Sequence, residues 1–467
     1  MTSRRIAVLG AGAAGLANAR YLLDQGHDVT IFEIGTRIGG LWAYDNDSGR
    51  SSAYRSLHIN TSKPTTQFAD FPFPKDAATF PSHFEMEAYL NAYADHFDLR
   101  RRIRFQSEVT TVEPIPSGDP ATGIRWSVET VGGRVEEFDA VVVATGHLSD
   151  PNMPEAVQGF EGELIHAHYY REPWDYRGKR VLVMGTGNSG LDITADLCTV
   201  ADRTVLAARS PELITPKFVM GIPLGRIEAP FRKPWMPKDL HQIVRRICTR
   251  LVHGRMEQWG FRTPDKPTHP ISHATLINHI AYRRAHVKPG VAGVEGKRVT
   301  FADGSSEEFD AIIAATGYRM RFSFLREDIV SEQSDGTLGL FGRAVPLRWP
   351  GLYFAGYFNA NALSNLRVYE YQARWFAALE AGEVLLPSQE EMQRSIVEDN
   401  AYIARRYPGG LRYAHELESF PYLKFLEREK KVSPRRRARG ATRDRQVVLA
   451  NRSAEPRMPD HAAASTS

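Results

Sequence analysis

Arg5-Ile6-Ala7-Val8-Leu9-Gly10-Ala11-Gly12-Ala13-Ala14-Gly15 decides the fold, because a continuous apolar run breaks directly into a G-x-G-x-x-G turn. Leu16, Ala19, Leu22 and Leu23 then follow at helical spacing until Gly26, and Val29-Thr30-Ile31-Phe32 is the next apolar run. The segment therefore reads strand, glycine turn, helix, strand. In that context Gly10, Gly12 and Gly15 let the chain turn tightly. A pyrophosphate can then approach the free N–H groups of the helix start at Gly12, Ala13, Ala14 and Gly15. Glu33 ends the second strand, where a carboxylate accepts hydrogen bonds from ribose hydroxyls and repels a 2'-phosphate. This first turn suits FAD or NAD rather than NADP.

The pattern recurs. Val181-Leu182-Val183-Met184 enters Gly185-Thr186-Gly187-Asn188-Ser189-Gly190, a helix follows, and Thr204-Val205-Leu206-Ala207 closes the unit. Here the residue at nearly the same offset as Glu33 is Arg209, whose guanidinium can hold a 2'-phosphate through a charge-assisted pair. The second turn therefore points to NADPH as electron donor, with NADH still open. Each unit is followed by an apolar strand ending in Ala-Thr-Gly, at Ala144-Thr145-Gly146 and Ala315-Thr316-Gly317, so Thr145 and Thr316 join the cofactor-binding set. Leu352-Tyr353-Phe354-Ala355-Gly356 reads as a further buried strand returning to the first unit. The expected architecture is α/β with two Rossmann-like dinucleotide-binding domains, the NADPH domain inserted in a discontinuous FAD domain. Its expected parts are residues 1–165, 166–318 and 319–428, then a basic disordered tail over 429–467.

The bulk numbers agree with a soluble enzyme of more than one lobe: 467 residues, 42% hydrophobic and 24% charged. With 59 basic against 55 acidic residues the charge is nearly balanced, so nucleic-acid binding is not implied. Cys198 and Cys248 offer neither a disulfide framework nor a metal spacing, and no redox pair for disulfide reduction. No signal peptide or apolar span is legible, which places the protein in the cytoplasm. Between residues 237 and 258, Leu240, Ile243, Val244, Ile247, Leu251 and Val252 share one helical face, with arginines around the rest. A lid or packing helix of the second domain is the favoured reading, over a helix lying on an anionic membrane.

Through most of residues 4–390 the chain resembles the flavin-containing monooxygenases. The specific signal is Phe160-Glu161-Gly162-Glu163-Leu164-Ile165-His166-Ala167-His168-Tyr169-Tyr170-Arg171, which fits F-x-G-x-x-x-H-x-x-x-Y/F-K/R. Baeyer–Villiger monooxygenases share the front half of that pattern but end it in Trp with Pro or Asp, so Tyr170-Arg171 favours heteroatom oxygenation. Further matches stand at residues 56–63, at Asp70-Phe71-Pro72-Phe73-Pro74, and in the two segments ending the glycine turn and the late Ala-Thr-Gly strand. Ile38-Gly39-Gly40-Leu41-Trp42 resembles the glycine pair that lies against the flavin nucleotide in two-dinucleotide flavoproteins, which implies FAD.

The resemblance implies that NADPH reduces FAD, that oxygen adds at flavin C4a as a hydroperoxide, and that a nitrogen or sulfur nucleophile takes the distal oxygen while water is released. It implies Asn60 as the residue that hydrogen-bonds the peroxide and cofactor, since an amide donates and accepts without titrating. By the same carry-over Gly40, Leu41, Trp42 and Thr61 are FAD contacts, and Ile59, Asn188, Ser189, Gly190, Leu191 and Asp192 are NADP contacts. The segment from Phe160 to Arg171 is expected to be a hinge between lobes. Two departures stand out: Gly356-Tyr357 replaces the Gly-Asp of many such flavoproteins, and the C-terminal apolar anchor of the animal members is absent. The expected partners are O2 and a small amine or sulfide, without nucleic acid, metal or transmembrane segment, and homodimerisation is left open. Baeyer–Villiger oxidation of ketones, an NADPH oxidase or reductase, and a non-catalytic redox sensor are the alternatives.

Overall fold

The computed structural model describes residues 3–116, 123–232, 236, 239–407 and 409–438. In chain order the strands of its two large sheets are β1 (Arg5–Leu9), β2 (Asp28–Phe32), β3 (Ile103–Arg104), β4 (Ala140–Val143), β5 (Glu163–His166), β6 (Arg180–Met184), β7 (Arg203–Ala208), β8 (Ala285–Pro289), β9 (Ala311–Ala314) and β10 (Leu352–Phe354). The main helices are α1 (Ala13–Asp24), α2 (His83–His96), α3 (Asn188–Leu197), α4 (Leu240–His253), α5 (Asn365–Glu380), α6 (Gln389–Arg406) and α7 (Ser419–Ala438).

The first sheet runs β10-β4-β1-β2-β3 and the second β8-β7-β6-β9-β5, every pairing being parallel. Parallel strands covered on both faces need apolar side chains on both, which is why β1 and β6 read as unbroken apolar runs. Along β1, Ile6 and Val8 face a core built with α1, α2 and α5, while Ala7 and Leu9 face one that includes Trp126, Phe138 and Phe322. That second cover comes from an antiparallel meander of Val109–Pro116, Ile124–Thr130 and Arg134–Phe138. The second sheet is covered in the same way by α3 on one face and by Val291–Glu295, Arg298–Phe301 and Ser306–Glu308 near the other.

This is the expected pair of Rossmann-like units, one interrupted by the other: β10 returns from beyond the second sheet to pair with β4, Tyr353 opposite Val142. The expected boundary after residue 165 falls inside β5, because Glu163 to His166 pair with Ala311 to Ala314 of the second sheet. The expected tail begins inside α7. Its charged residues are held by polar contacts instead of apolar periodicity: Arg436 donates to Glu429 and to Leu385 O, and Ser433 Oγ accepts from Leu385 N at 2.9 Å. Residues 439–467 lie outside the described residues. α4 packs, but on its Cys248, Thr249 and His253 side, and leaves Ile243, Ile247 and Leu251 at 54%, 54% and 77% exposure, the reverse of a packing helix's expected face. Among the described residues no helix is long and apolar enough to cross a membrane.

The glycine turns set how closely each first helix approaches its sheet. A β-carbon on Gly190 would lie 2.0 Å from Gly185 O, a separation no side chain tolerates. Gly190→Ala must therefore push α3 off β6 and is expected to cost about 1–3 kcal/mol of unfolding free energy. Denaturant titration checks this, with Gly225→Ala as control, since nothing lies within 4 Å of that position.

Candidate active site

β1 and β4 leave the carboxyl edge of the first sheet side by side, and the two turns that follow them meet. Gly10, at φ +107°, donates its N–H to Phe32 O at 2.7 Å, and Ala144 O would lie 2.6 Å from a β-carbon there. Gly12 caps α1 in an extended conformation with no side chain on the helix start, so the first amides of α1 keep their donors for a ligand. The Gly39-Gly40 turn lies over this point: Gly39 N–H donates to Ala11 O at 3.2 Å, and a β-carbon on Gly40 would be 3.2 Å from Gly12 Cα. Leu41 and Trp42 complete the single helical turn that follows, and Leu41 O accepts from Ser51 Oγ at 2.8 Å.

Glu33 is buried at 5% exposure, accepting from Ala11 N at 2.7 Å and Gly35 N at 2.9 Å. Burial raises its carboxyl above the ordinary value against the pull of those two amides. Two donors leave part of its acceptor capacity unused, which fits a hydroxyl-bearing ligand. The close glycine turn, the open helix start and this carboxylate together fit an adenine dinucleotide diphosphate.

The second turn repeats the geometry: Gly185 at φ +105°, Ala315 O 2.3 Å from its would-be β-carbon, and Gly187 capping α3 with no atom within 4 Å of its own. Asn188 Oδ1 is buried with no hydrogen-bond partner among the described residues. Arg209, just past β7, has an exposed side chain, and no ion pair holds it among the described residues; only its backbone carbonyl is used, by Arg262. Ser189 stands in the first turn of α3, whereas Leu191 is fully buried with its N–H on Gly187 O, so neither its side chain nor its amide faces a ligand. Thr145 Oγ1 meets the Tyr357 hydroxyl at 2.7 Å, and Thr316 Oγ1 donates to Asn152 O at 2.6 Å.

Asp192 faces the other lobe. Its carboxylate accepts from the Tyr54 hydroxyl at 2.6 Å and lies 3.2 Å from His273 Nε2. One turn on, Asp196 accepts from Ser56 Oγ and from the Tyr170 hydroxyl. Sequence reasoning missed Tyr54, Ser56 and Asp196. The usable signal was the spacing of Asp192 and Asp196, four apart on one helix face, beside a run starting at residue 56. Lys217 was also missed; it sits over the Phe80 ring at 5.1 Å, and burial lowers its ammonium below the ordinary value.

The Phe160–Arg171 segment closes the same joint. His166 ends β5; His168 Nε2 reaches Gly49 O at 3.2 Å; Arg171 donates to His168 O at 2.7 Å and Ser51 O at 3.2 Å, and its own carbonyl accepts from Arg55 N. From there the chain runs through Ile59, whose N–H donates to Pro81 O, and Thr61, whose hydroxyl meets that of Thr66 at 2.7 Å. Between them Asn60 Oδ1 is buried with no hydrogen-bond donor among the described residues.

A family model described as flavin-binding monooxygenase-like matches residues 3–432. The chain is 31% identical over 419 residues to dimethylaniline monooxygenase [N-oxide-forming] 2 of Mus musculus, covering 85% of this chain and 77% of that one. It is 32% identical over 415 residues to flavin-containing monooxygenase 3 of Homo sapiens, with the same coverage. Among solved structures it resembles S-allyl-L-cysteine S-oxygenase from Allium sativum, with a TM-score of 0.69 and 26% identity over 97% of this chain and 98% of that one. It shares its fold with cyclohexanone monooxygenase, at a TM-score of 0.65 and 19% identity over 93% and 98% of the two chains.

Burial of His166 brings its imidazolium from 6.5 down to about 4, so the folded protein resists a proton that the unfolded chain accepts. Its contribution to stability is complete above the ordinary value and is lost as pH falls from 6.5 to about 4. That loss amounts to ~3 kcal/mol. His166→Gln is expected to make the stability profile less steep over that interval, where other buried histidines such as His415 also lose stability as they protonate, read as urea midpoints against pH; an unchanged slope would place the titration elsewhere.

Proposed function

The chain belongs to the flavin-binding monooxygenase-like family, and on that footing we propose that it oxygenates a nitrogen or sulfur nucleophile of a small molecule. It is an oxidoreductase, a flavoprotein monooxygenase whose cofactors are FAD and NADPH. When bound, the flavin would supply the redox chemistry: NADPH, one proton and one O2 give NADP+, one oxygen atom on the substrate and one water. The remaining work falls to side chains of this protein.

Gly10 to Gly15 and Glu33 would hold the FAD diphosphate and ribose, with Gly40 to Trp42 beside them. Gly185 to Gly190 would hold the NADPH diphosphate, and Arg209 would take the 2'-phosphate. Tyr54 and Ser56 tie α3 to the segment that carries Asn60, and Tyr170 ties it to the interlobe segment, so the two dinucleotide turns are held relative to one another. The observation that carries the oxygenating role is the Asn60 amide oxygen, buried without a donor among the described residues, on the first-lobe segment that Ser56 ties to α3. An amide so placed accepts and donates one hydrogen bond each without changing charge, and is oriented before reaction begins. The substrate's lone pair needs no general base. Tyr170-Arg171 at the end of the interlobe segment supports nitrogen or sulfur over a ketone as acceptor.

The reading is tested by oxygen uptake with NADPH, with and without a panel of amines, sulfides and ketones, followed by product mass. Products heavier by one oxygen from amines or sulfides support it; lactones or esters from ketones alone would overturn it. Asn60→Ala is expected to leave NADPH-driven flavin bleaching intact while product formed per NADPH falls on the order of 10²-fold. Arg209→Gln is expected to raise the KM for NADPH roughly 10- to 100-fold and leave that for NADH unchanged, the loss of one charge-assisted pair.

A further inference from the structure

A cavity of about 280 Å³ lies between the inserted lobe and the C-terminal segment, walled by α4, residues 264–270 of the second lobe, Asn361-Ala362 and the ends of α6 and α7. None of the residues assigned above to FAD or NADPH lines it.

Its charge does not balance. Arg232, Arg245, Arg246, Lys266, Arg406 and Lys424 all line it. Arg232 and Arg245 share the single buried carboxylate of Glu228, Arg245 at 2.7 Å. Arg406 is met by Asp239 and by Glu418 at 2.9 Å. Among the described residues Arg246 donates to a backbone carbonyl only, Pro264 O at 3.0 Å, and no carboxylate answers Lys266 or Lys424. Arg232 is itself buried, its side chain at 9% exposure, and among the described residues its Nε has no acceptor although its other nitrogens reach Ala362 O and Glu228.

A buried guanidinium donor without an acceptor costs free energy that a bound anion would recover. A cleft whose lining carries an excess of one sign of charge concentrates the opposite ion. Apolar groups stand among the cations, Leu213, Phe231 and Phe420. A ligand matching this lining has an acid group and a short apolar body. We propose that the cavity binds a small carboxylate-bearing molecule, its acid among Arg232, Arg246, Lys266 and Lys424 and its apolar part against Phe231 and Leu213.

The molecule is either the compound being oxygenated, recognised by its acid, or a separate effector, and the two arms of the test separate them. In the first, protein loaded with FAD and NADP+ is titrated calorimetrically with sodium hexanoate and with hexanamide. The acid is expected to bind at least tenfold more tightly, and the variant Lys266→Gln with Lys424→Gln, both exposed side chains, should abolish that preference without slowing NADPH-driven flavin reduction. In the second, KM is compared for 3-(methylthio)propionate and 3-(methylthio)propionamide. An acid preference that collapses in the double variant identifies the substrate's own carboxylate. Equal KM values alongside an intact hexanoate preference in the unmutated protein identify an effector. Equal affinity for hexanoate and hexanamide, or a preference that survives the double variant, overturns the proposal. The binding arm needs no turnover, so a protein that oxygenates no sulfide would refute the reading of the reaction and leave this one standing.

Discussion

The first helix of each dinucleotide unit lies so close to its sheet that a carbonyl oxygen stands where a β-carbon would be. Gly10 O is 1.9 Å from that position on Gly15, and Gly185 O 2.0 Å from it on Gly190. Close packing aims the open start of each helix along the carboxyl edge of the sheet, where Gly12 and Gly187 leave the first amides without a side-chain cap. Everything else in the site is arranged around those two helix ends. Ala144 and Ala315 back onto Gly10 and Gly185 from the neighbouring strands, and the Gly39-Gly40 turn can cross the first only because no side chain intervenes.

From this common geometry the two units diverge through charge. Glu33 is buried and held by two backbone amides, so it is a fixed acceptor that a phosphate would meet only with repulsion. Arg209 is exposed and unpaired among the described residues, available to a group arriving from solvent.

The lobes are joined through α3. Asp192 and Asp196 take hydroxyls from Tyr54 and Ser56 of the first lobe and from Tyr170 of the segment between the lobes, so the helix that starts the second nucleotide site also carries the contact that orients it. Arg171 fastens the same segment to the loop before Asn60.

Both glycine turns, the return of the chain at Leu352 to Phe354, and the charge contrast of Glu33 with Arg209 were legible in the sequence, because each rests on local rules. Apolar runs make buried parallel strands, glycine spacing makes the turn, and the residue ending the second strand stands beside that turn. Other features depend on residues distant in the chain. The sequence could not show that Asp196 meets Ser56, that β5 belongs to the second sheet, or that Leu191 spends its amide inside α3. Nor could it show that the apolar stripe of α4 would face outward while the opposite side helps wall a cationic cavity, or that α7 would run on through a charged segment that periodicity alone reads as unstructured. Periodicity fixes which residues share a face. Which face is covered is decided only when the other lobe and the C-terminal segment bring their own surfaces and charges against it.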